Sequence, residues 1–363
     1  MQSLYVLRFF ASIAVYLHHL YYPFGLGAIC VTFFFIISGF TMACSMSNKN
    51  FVLTKKSLKK FYFNKLLKLY PLYILTFIAS LPIMNFFETK FNISNIIINL
   101  LLFQSYFPNK NEVFLFNGLS WFVANIMFFY LVTPFIFHIF KRFKIDKNTK
   151  ILAILILVLY LIAFFISYSF KWKVEAFSIG WWLIYISPFF RIFDYLIGFL
   201  AGFVFIRIKK VKKTEGEWKF GFSILEISAI GIFLLSYKSK FLLIDSLRYG
   251  VYYIPVITFV IIVFAFGKGI ISKIISNKIL VYLGKLSYII YMIHQLIIYY
   301  MSMFFGNSIF YTQDMVLKNY LSNIFLFFII ICISDVINRY LIPFITRIFT
   351  TKILIKKMKI RNY

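Results

Sequence analysis

The chain has 363 residues, of which 62% are hydrophobic and 22% aromatic, and its net charge at pH 7 is +28. Soluble domains are only about 45–50% apolar, so this composition excludes an ordinary soluble protein. A basic excess can indicate nucleic-acid binding, but here Lys and Arg lie between long apolar segments, which is typical of loops beside a membrane. No nucleic-acid partner is therefore predicted.

Apolar segments long enough to cross a bilayer recur along the chain, because about 20 helical residues span a hydrocarbon layer about 30 Å thick. We predict an all-α, polytopic membrane protein with about ten transmembrane helices. The predicted spans are 4–20, 28–46, 69–87, 119–140, 151–170, 187–206, 220–237, 249–266, 279–303 and 319–345. Segment 92–107 is apolar but short and precedes Pro108, so we interpret it as interfacial or re-entrant.

Lys and Arg divide unequally between alternate loops. Segments 47–68, 141–150, 207–219, 267–278 and 346–363 hold 7, 5, 6, 3 and 6 of them, which is 27 of the 39 in the chain. Positively charged loops remain in the cytoplasm, so we expect both termini there and the protein in the cell membrane, which is the plasma or inner membrane. No linker divides the sequence, which predicts one membrane-embedded domain, 1–345, and a basic cytoplasmic tail, 346–363.

Ionisable side chains within a bilayer cost several kcal/mol unless they are paired or hydrated, so each is a functional candidate. Counting residues from the loops places four of them in the outer half of the membrane: His19, Arg191, Asp194 and His294. A neutral histidine can take the proton of an attacking alcohol, so His19 could act as a base with Asp194 or His294 assisting. The structural alternatives are a histidine that only bonds across helices, and an i,i+3 Arg191–Asp194 pair.

Basic and small residues near the second and third spans give further candidates. Lys65 and Lys68 would share one face of a helix and could hold the phosphates of a cytoplasmic nucleotide-type cofactor, although a topology signal that binds anionic lipid is the alternative. Ser38 and Gly39 indicate either a close helix contact or the lining of a substrate path, and Arg191 is a second candidate for that path. The three cysteines show no metal-ligand spacing, and no P-loop or nucleophile elbow occurs, so no metal site is predicted.

Five segments occur in a particular order along the chain. They are Leu7–His19 with Arg8 eleven residues before His19, Val31–Phe40 with Ser38-Gly39-Phe40, Lys65–Tyr73 with two lysines before Pro71, Phe189–Gly198 with Arg191 and Asp194, and Leu283–His294. Together they resemble the integral-membrane acyltransferase 3 family, whose members O-acylate glycans and other acceptors with acyl-CoA. The resemblance covers most of the chain, from residue 7 to 294.

The resemblance implies an O-acetyltransferase that carries an acyl group, expected to be acetyl, from cytoplasmic acyl-CoA (acetyl-CoA) to a hydroxyl of a cell-surface or lipid-linked glycan. It also implies His19 as the catalytic histidine and Lys65 and Lys68 as residues that meet acyl-CoA, with Arg8 supporting the histidine or meeting the cofactor. The sequence departs from the family where lysines replace the usual arginines. Thr32 and Ile126 also stand where acidic residues are usual, which shifts attention to Asp194.

Two other classes of function fit the same composition. A polysaccharide transporter or polymerase would be equally polytopic, aromatic and basic on its inner side, but would have no CoA chemistry. A structural membrane partner would not depend on His19.

Overall fold

The computed structural model describes residues 1–20, 26–171, 174–211, 219–305 and 316–348. Within these ranges all regular elements are helical. The α-helices are α1 Gln2–His19, α2 Gly27–Asn48, α3 Lys55–Phe86, α4 Ile93–Leu100, α5 Lys110–Val113, α6 Trp121–Arg142, α7 Thr149–Ser169, α8 Ile179–Trp181, α9 Pro188–Val211, α10 Lys219–Lys238, α11 Asp245–Arg248, α12 Ile254–Phe266, α13 Ile270–Ile275, α14 Lys278–Phe305 and α15 Val316–Val336. Residues 212–218 of one basic loop and 349–363 of the predicted tail lie outside the described residues.

Among the described residues, eight helical segments are long and apolar enough to cross a membrane. They are Gly27–Asn48, Lys55–Phe86, Gly118–Arg142, Thr149–Ser169, Ile179–Lys210, Phe220–Lys238, Lys278–Phe304 and Tyr320–Ile348. The other two predicted spans correspond to α1, with 18 residues, and to the shorter apolar segment Val251–Phe266. The prediction of an all-helical, polytopic membrane protein is confirmed. Helix α4 has 8 residues, and its rise of about 12 Å is too short for a crossing.

Helices α2 and α9 approach each other backbone to backbone. A Cβ atom on Gly39 of α2 would overlap the carbonyl oxygen of Tyr195, and one on Gly198 of α9 would overlap that of Ile36. Small residues permit such contacts between membrane helices. This contact fixes the rotation of α2 about its own axis. It therefore also fixes the direction of the neighbouring residue Ser38.

Helices α1 and α14 run side by side in the same direction. At one end a Cβ on Gly284 would overlap the backbone of Tyr5, and at the other end His19 lies beside His294. Parallel helices agree with the predicted topology, in which the first and ninth spans cross the membrane in the same sense. The packing therefore brings together two histidines from opposite ends of the chain.

Candidate active site

Two histidines form a direct hydrogen bond where α1 ends. Nδ1 of His19 lies 3.0 Å from Nε2 of His294. The imidazole of His294 is fully buried, and its Nδ1 lies 3.0 Å from the carbonyl oxygen of Ile290, one turn earlier on α14. The structure thus joins two of the three predicted catalytic residues in one chain of hydrogen bonds.

These two hydrogen bonds determine where the hydrogens sit in a neutral pair. A carbonyl oxygen only accepts, so Nδ1 of His294 must donate to Ile290, and Nε2 of His294 is left as an acceptor. Nδ1 of His19 must then be the donor, which leaves a lone pair on Nε2 of His19. The bonding pattern therefore assigns to His19 the tautomer in which Nε2 can accept a proton.

A cavity of about 690 Å³ opens beside His19, and we call it the His19 cavity. Aromatic side chains form much of its wall, including Trp121, Trp181 and Tyr185, and Gln295 adds an amide. Apolar and aromatic walls with a few polar groups are typical of sites that bind small organic ligands. The cavity leaves space beside His19 for a small organic ligand.

A second, smaller cavity of about 80 Å³ is lined by Arg8, Ser38 and Lys68, and we call it the Arg8 cavity. None of the described residues that line it is acidic. Nε of Arg8 is buried and makes no hydrogen bond within the described ranges. Lys65 is not among the described residues that line this cavity, but its Nζ lies 4.6 Å from the ring centroid of Tyr130, which does line it. This cationic lining suits an anionic group such as phosphate.

The two cavities follow one another along the same helices. On α1, His19 lines one cavity and Arg8 the other, eleven residues or about 16 Å apart along the helix axis. Four further helices also contribute residues to both cavities. The residues at the His19 cavity are Gly27 and Val31 on α2, Ile83 and Met84 on α3, Trp121 on α6, and Gln295 and Tyr299 on α14. The residues at the Arg8 cavity are Phe34, Ser38 and Thr41 on α2, Lys68 and Leu69 on α3, Phe122, Ile126 and Tyr130 on α6, and Ser287 and Tyr288 on α14. Tyr291 lines both cavities.

Arg191 and Asp194 form a buried pair apart from the histidines. Both side chains are fully buried, and Nη2 of Arg191 lies 2.7 Å from Oδ2 of Asp194. The same nitrogen donates to Oγ1 of Thr32 at 2.7 Å, and Nη1 donates to the carbonyl oxygen of Tyr249 at 3.2 Å. Neither member of the pair is among the described residues that line either cavity. This geometry agrees with the structural alternative weighed for Arg191 and Asp194.

Thr32 and Ile126 stand at two positions where the family usually carries an acidic residue. Thr32 accepts the hydrogen bond from Arg191, and Ile126 lines the Arg8 cavity. No carboxylate takes the place beside His19 in the described residues, where the neighbour of Nδ1 is His294.

Sequence reasoning did not single out Tyr291, Trp181 or Gln295. A signal for Tyr291 was present, because Tyr288, Tyr291 and His294 are spaced three residues apart and so lie on one face of α14. The place of Trp181 depends on the path of the chain between α7 and α9, which no local pattern specifies.

Comparisons with known proteins identify the family of the chain. A family model described as an acyltransferase domain matches residues 1–339. The curated protein named acyltransferase MdmB, from Streptomyces mycarofaciens, is 30% identical over 165 residues, which are 40% of this chain and 41% of that protein. The match thus spans less than half of that relative's length. No solved structure gives a significant match.

Proposed function

The chain belongs to the acyltransferase 3 family and is a multi-pass membrane protein, and from this premise we propose that it is an O-acyltransferase of the cell membrane. It transfers an acyl group, acetyl in the first instance, from acetyl-CoA on the cytoplasmic side to a hydroxyl of a cell-surface or lipid-linked glycan. Both chain termini face the cytoplasm in this proposal.

The observation that carries the proposal is the chain of hydrogen bonds from His19 through His294 to Ile290, which leaves Nε2 of His19 as an acceptor, together with the large cavity that His19 lines. The hydroxyl oxygen of the acceptor attacks the thioester carbonyl carbon while Nε2 of His19 takes the hydroxyl proton. The new C–O bond forms, the C–S bond breaks, and the proton on Nε2 passes to the sulfur so that CoA leaves as its thiol. His294 continues to accept a hydrogen bond from Nδ1 and so holds the imidazolium in place.

The cationic Arg8 cavity supports acyl-CoA as the donor. Lys65, Lys68 and Arg8 offer N–H donors to phosphate groups at the end where the topology predicts cytoplasm. The thioester must then reach a histidine about 16 Å away along the helix axis. The pantetheine arm is a long, thin chain, so the alignment of the two cavities favours direct transfer over a relay through a second acyl carrier.

The wall of the His19 cavity supports a saccharide as the acceptor. The faces of sugar rings carry C–H groups that pack on aromatic rings, and Trp121, Trp181 and Tyr185 supply such rings. Gln295 adds an amide whose Oε1 makes no hydrogen bond within the described part of the chain. A sugar hydroxyl is a suitable partner for that oxygen.

Equilibrium binding of acetyl-CoA to the purified protein, together with mass spectrometry of surface glycans from cells with and without the gene, tests the proposal. The expected results are saturable binding, and glycans that lose the mass of an acetyl group when the gene is removed. Glycan binding without any acetyl-CoA binding at millimolar concentration would contradict the proposal and favour a transporter.

A further inference from the structure

The next inference rests on the proposed function. We propose that the rings of Phe34, Phe122 and Tyr291, which we call the ring cluster, form the binding site for the acyl-pantetheine segment of the donor and select acyl groups that are unbranched next to the carbonyl. Neither the family match nor the relative assigns these residues a role.

The three rings pack against one another. The centroid of Tyr291 lies 5.0 Å from that of Phe122 and 5.8 Å from that of Phe34, and the centroids of Phe34 and Phe122 are 6.0 Å apart. The side chains are nearly buried, with exposed fractions of 2%, 5% and 7% for Tyr291, Phe34 and Phe122. Rings at these distances leave no open channel between them.

The ring cluster lies where the two cavities meet. All three rings line the Arg8 cavity, and Tyr291 also lines the His19 cavity. Tyr291 is one turn before His294 on α14, and its ring centroid is 6.1 Å from that of the imidazole. A thioester that enters from the Arg8 cavity must therefore displace part of the ring cluster before it reaches the two histidines.

The shape of the donor explains the selection. The pantetheine arm behind the thioester is an unbranched chain of methylenes and amides, so a linear acyl group is no wider than the arm that follows it. A methyl branch next to the carbonyl makes the leading end wider than the arm. Protein interiors are close-packed, and one added methylene in an apolar site discriminates between substrates by roughly 10–200-fold.

The test compares acetyl-CoA with isobutyryl-CoA as donors for the whole protein, with glycan extracted from a strain that lacks the gene as acceptor. The measured quantity is kcat/KM from release of the CoA thiol. In the wild type we expect isobutyryl-CoA to be used at least about tenfold less well than acetyl-CoA. Phe122→Leu and Phe34→Leu widen the passage, so each should raise the isobutyryl-to-acetyl ratio about tenfold.

Phe128→Leu is the matched control, since Phe128 lies on α6 but lines an apolar groove away from both cavities. It should leave the ratio unchanged. Equal kcat/KM values of the wild type for the two donors would overturn the proposal. An unchanged isobutyryl-to-acetyl ratio in Phe122→Leu and Phe34→Leu, if both variants still transfer acetyl, would overturn it as well. If the wild type transferred neither group while binding neither thioester, the proposed function itself would fail.

Discussion

The Nδ1–H of His19 donates to Nε2 of His294 over 3.0 Å, although 275 residues separate the two in the sequence. Because the other nitrogen of His294 is committed to the carbonyl oxygen of Ile290, the direction of this hydrogen bond is fixed. We therefore propose that a buried neutral imidazole takes the orienting role that a carboxylate has in many acyl-transfer sites.

Replacing His294 by Ala removes the acceptor for Nδ1 of His19, so the ring of His19 is free to adopt the other tautomer and other orientations. We expect kcat for acetyl transfer to fall about 100-fold, with little change in KM for acetyl-CoA. His294→Gln should recover part of the rate, because its amide oxygen can accept the same hydrogen bond. Steady-state kinetics of the two variants check this, and an unchanged kcat in His294→Ala would show that His294 is not needed.

Removing Lys65 and Lys68 together by alanine substitution should weaken binding of acetyl-CoA. A hydrogen bond to a charged group contributes about 1.5–3 kcal/mol, so each lysine accounts for at least about a tenfold change in Kd. The control is Lys59→Ala with Lys60→Ala, two exposed lysines on the same helix that do not line the Arg8 cavity. An equal effect of both double substitutions on Kd would favour a general role in topology or lipid binding.

Asp194→Ala should act on folding. It leaves the fully buried Arg191 guanidinium without its counter-charge, which costs about 3–5 kcal/mol and should appear as a lower Tm and a lower yield of folded protein. Replacing both members, by Arg191→Met with Asp194→Leu, removes the unpaired charge and should restore Tm. If that double variant folded but did not transfer acetyl groups, Asp194 would have a part in the chemistry.

Gly39→Ala tests the contact between α2 and α9. The added Cβ would overlap the carbonyl oxygen of Tyr195, so the helices must separate, and overpacking of this kind costs about 1–3 kcal/mol. The control is Gly231→Ala on α10, where no atom lies within 4 Å of the added carbon. Thermal unfolding in detergent should show a lower Tm for Gly39→Ala alone, and equal Tm values for the two variants would contradict the close contact.

Much of the fold could be predicted from composition, because a bilayer demands long apolar helices and the regular elements of the described residues are all helical. The predicted span 187–206 agrees with α9, Pro188–Val211, since Pro188 begins the helix and Lys209 and Lys210 occupy its last turn. Span 249–266 is less accurate, because Gly250 has a φ of +132° and α12 begins at Ile254. A left-handed glycine signals a break in a helix, but a window of hydropathy does not detect it.

The candidate site could be predicted only in part. Depth along a helix follows from counting residues, which placed His19, His294 and Asp194 in one layer of the membrane. The direction that each residue faces depends on packing between distant helices, so counting could not show that His294 meets His19 while Asp194 meets Arg191. For the same reason Lys65 and Lys68 could be paired from their spacing, whereas the place of Lys68 beside Arg8 at one cavity required the structure.

The rate of acetyl transfer by His19→Gln, measured beside its affinity for acetyl-CoA, tests the role of the histidine most directly. Glutamine is similar in length and can still hydrogen-bond to His294, but it cannot accept the proton of the acceptor hydroxyl. We predict a loss of about 10²–10⁴ in kcat with an unchanged Kd for acetyl-CoA, as expected when a general base is removed. Transfer at the wild-type rate by this variant would contradict the proposed mechanism.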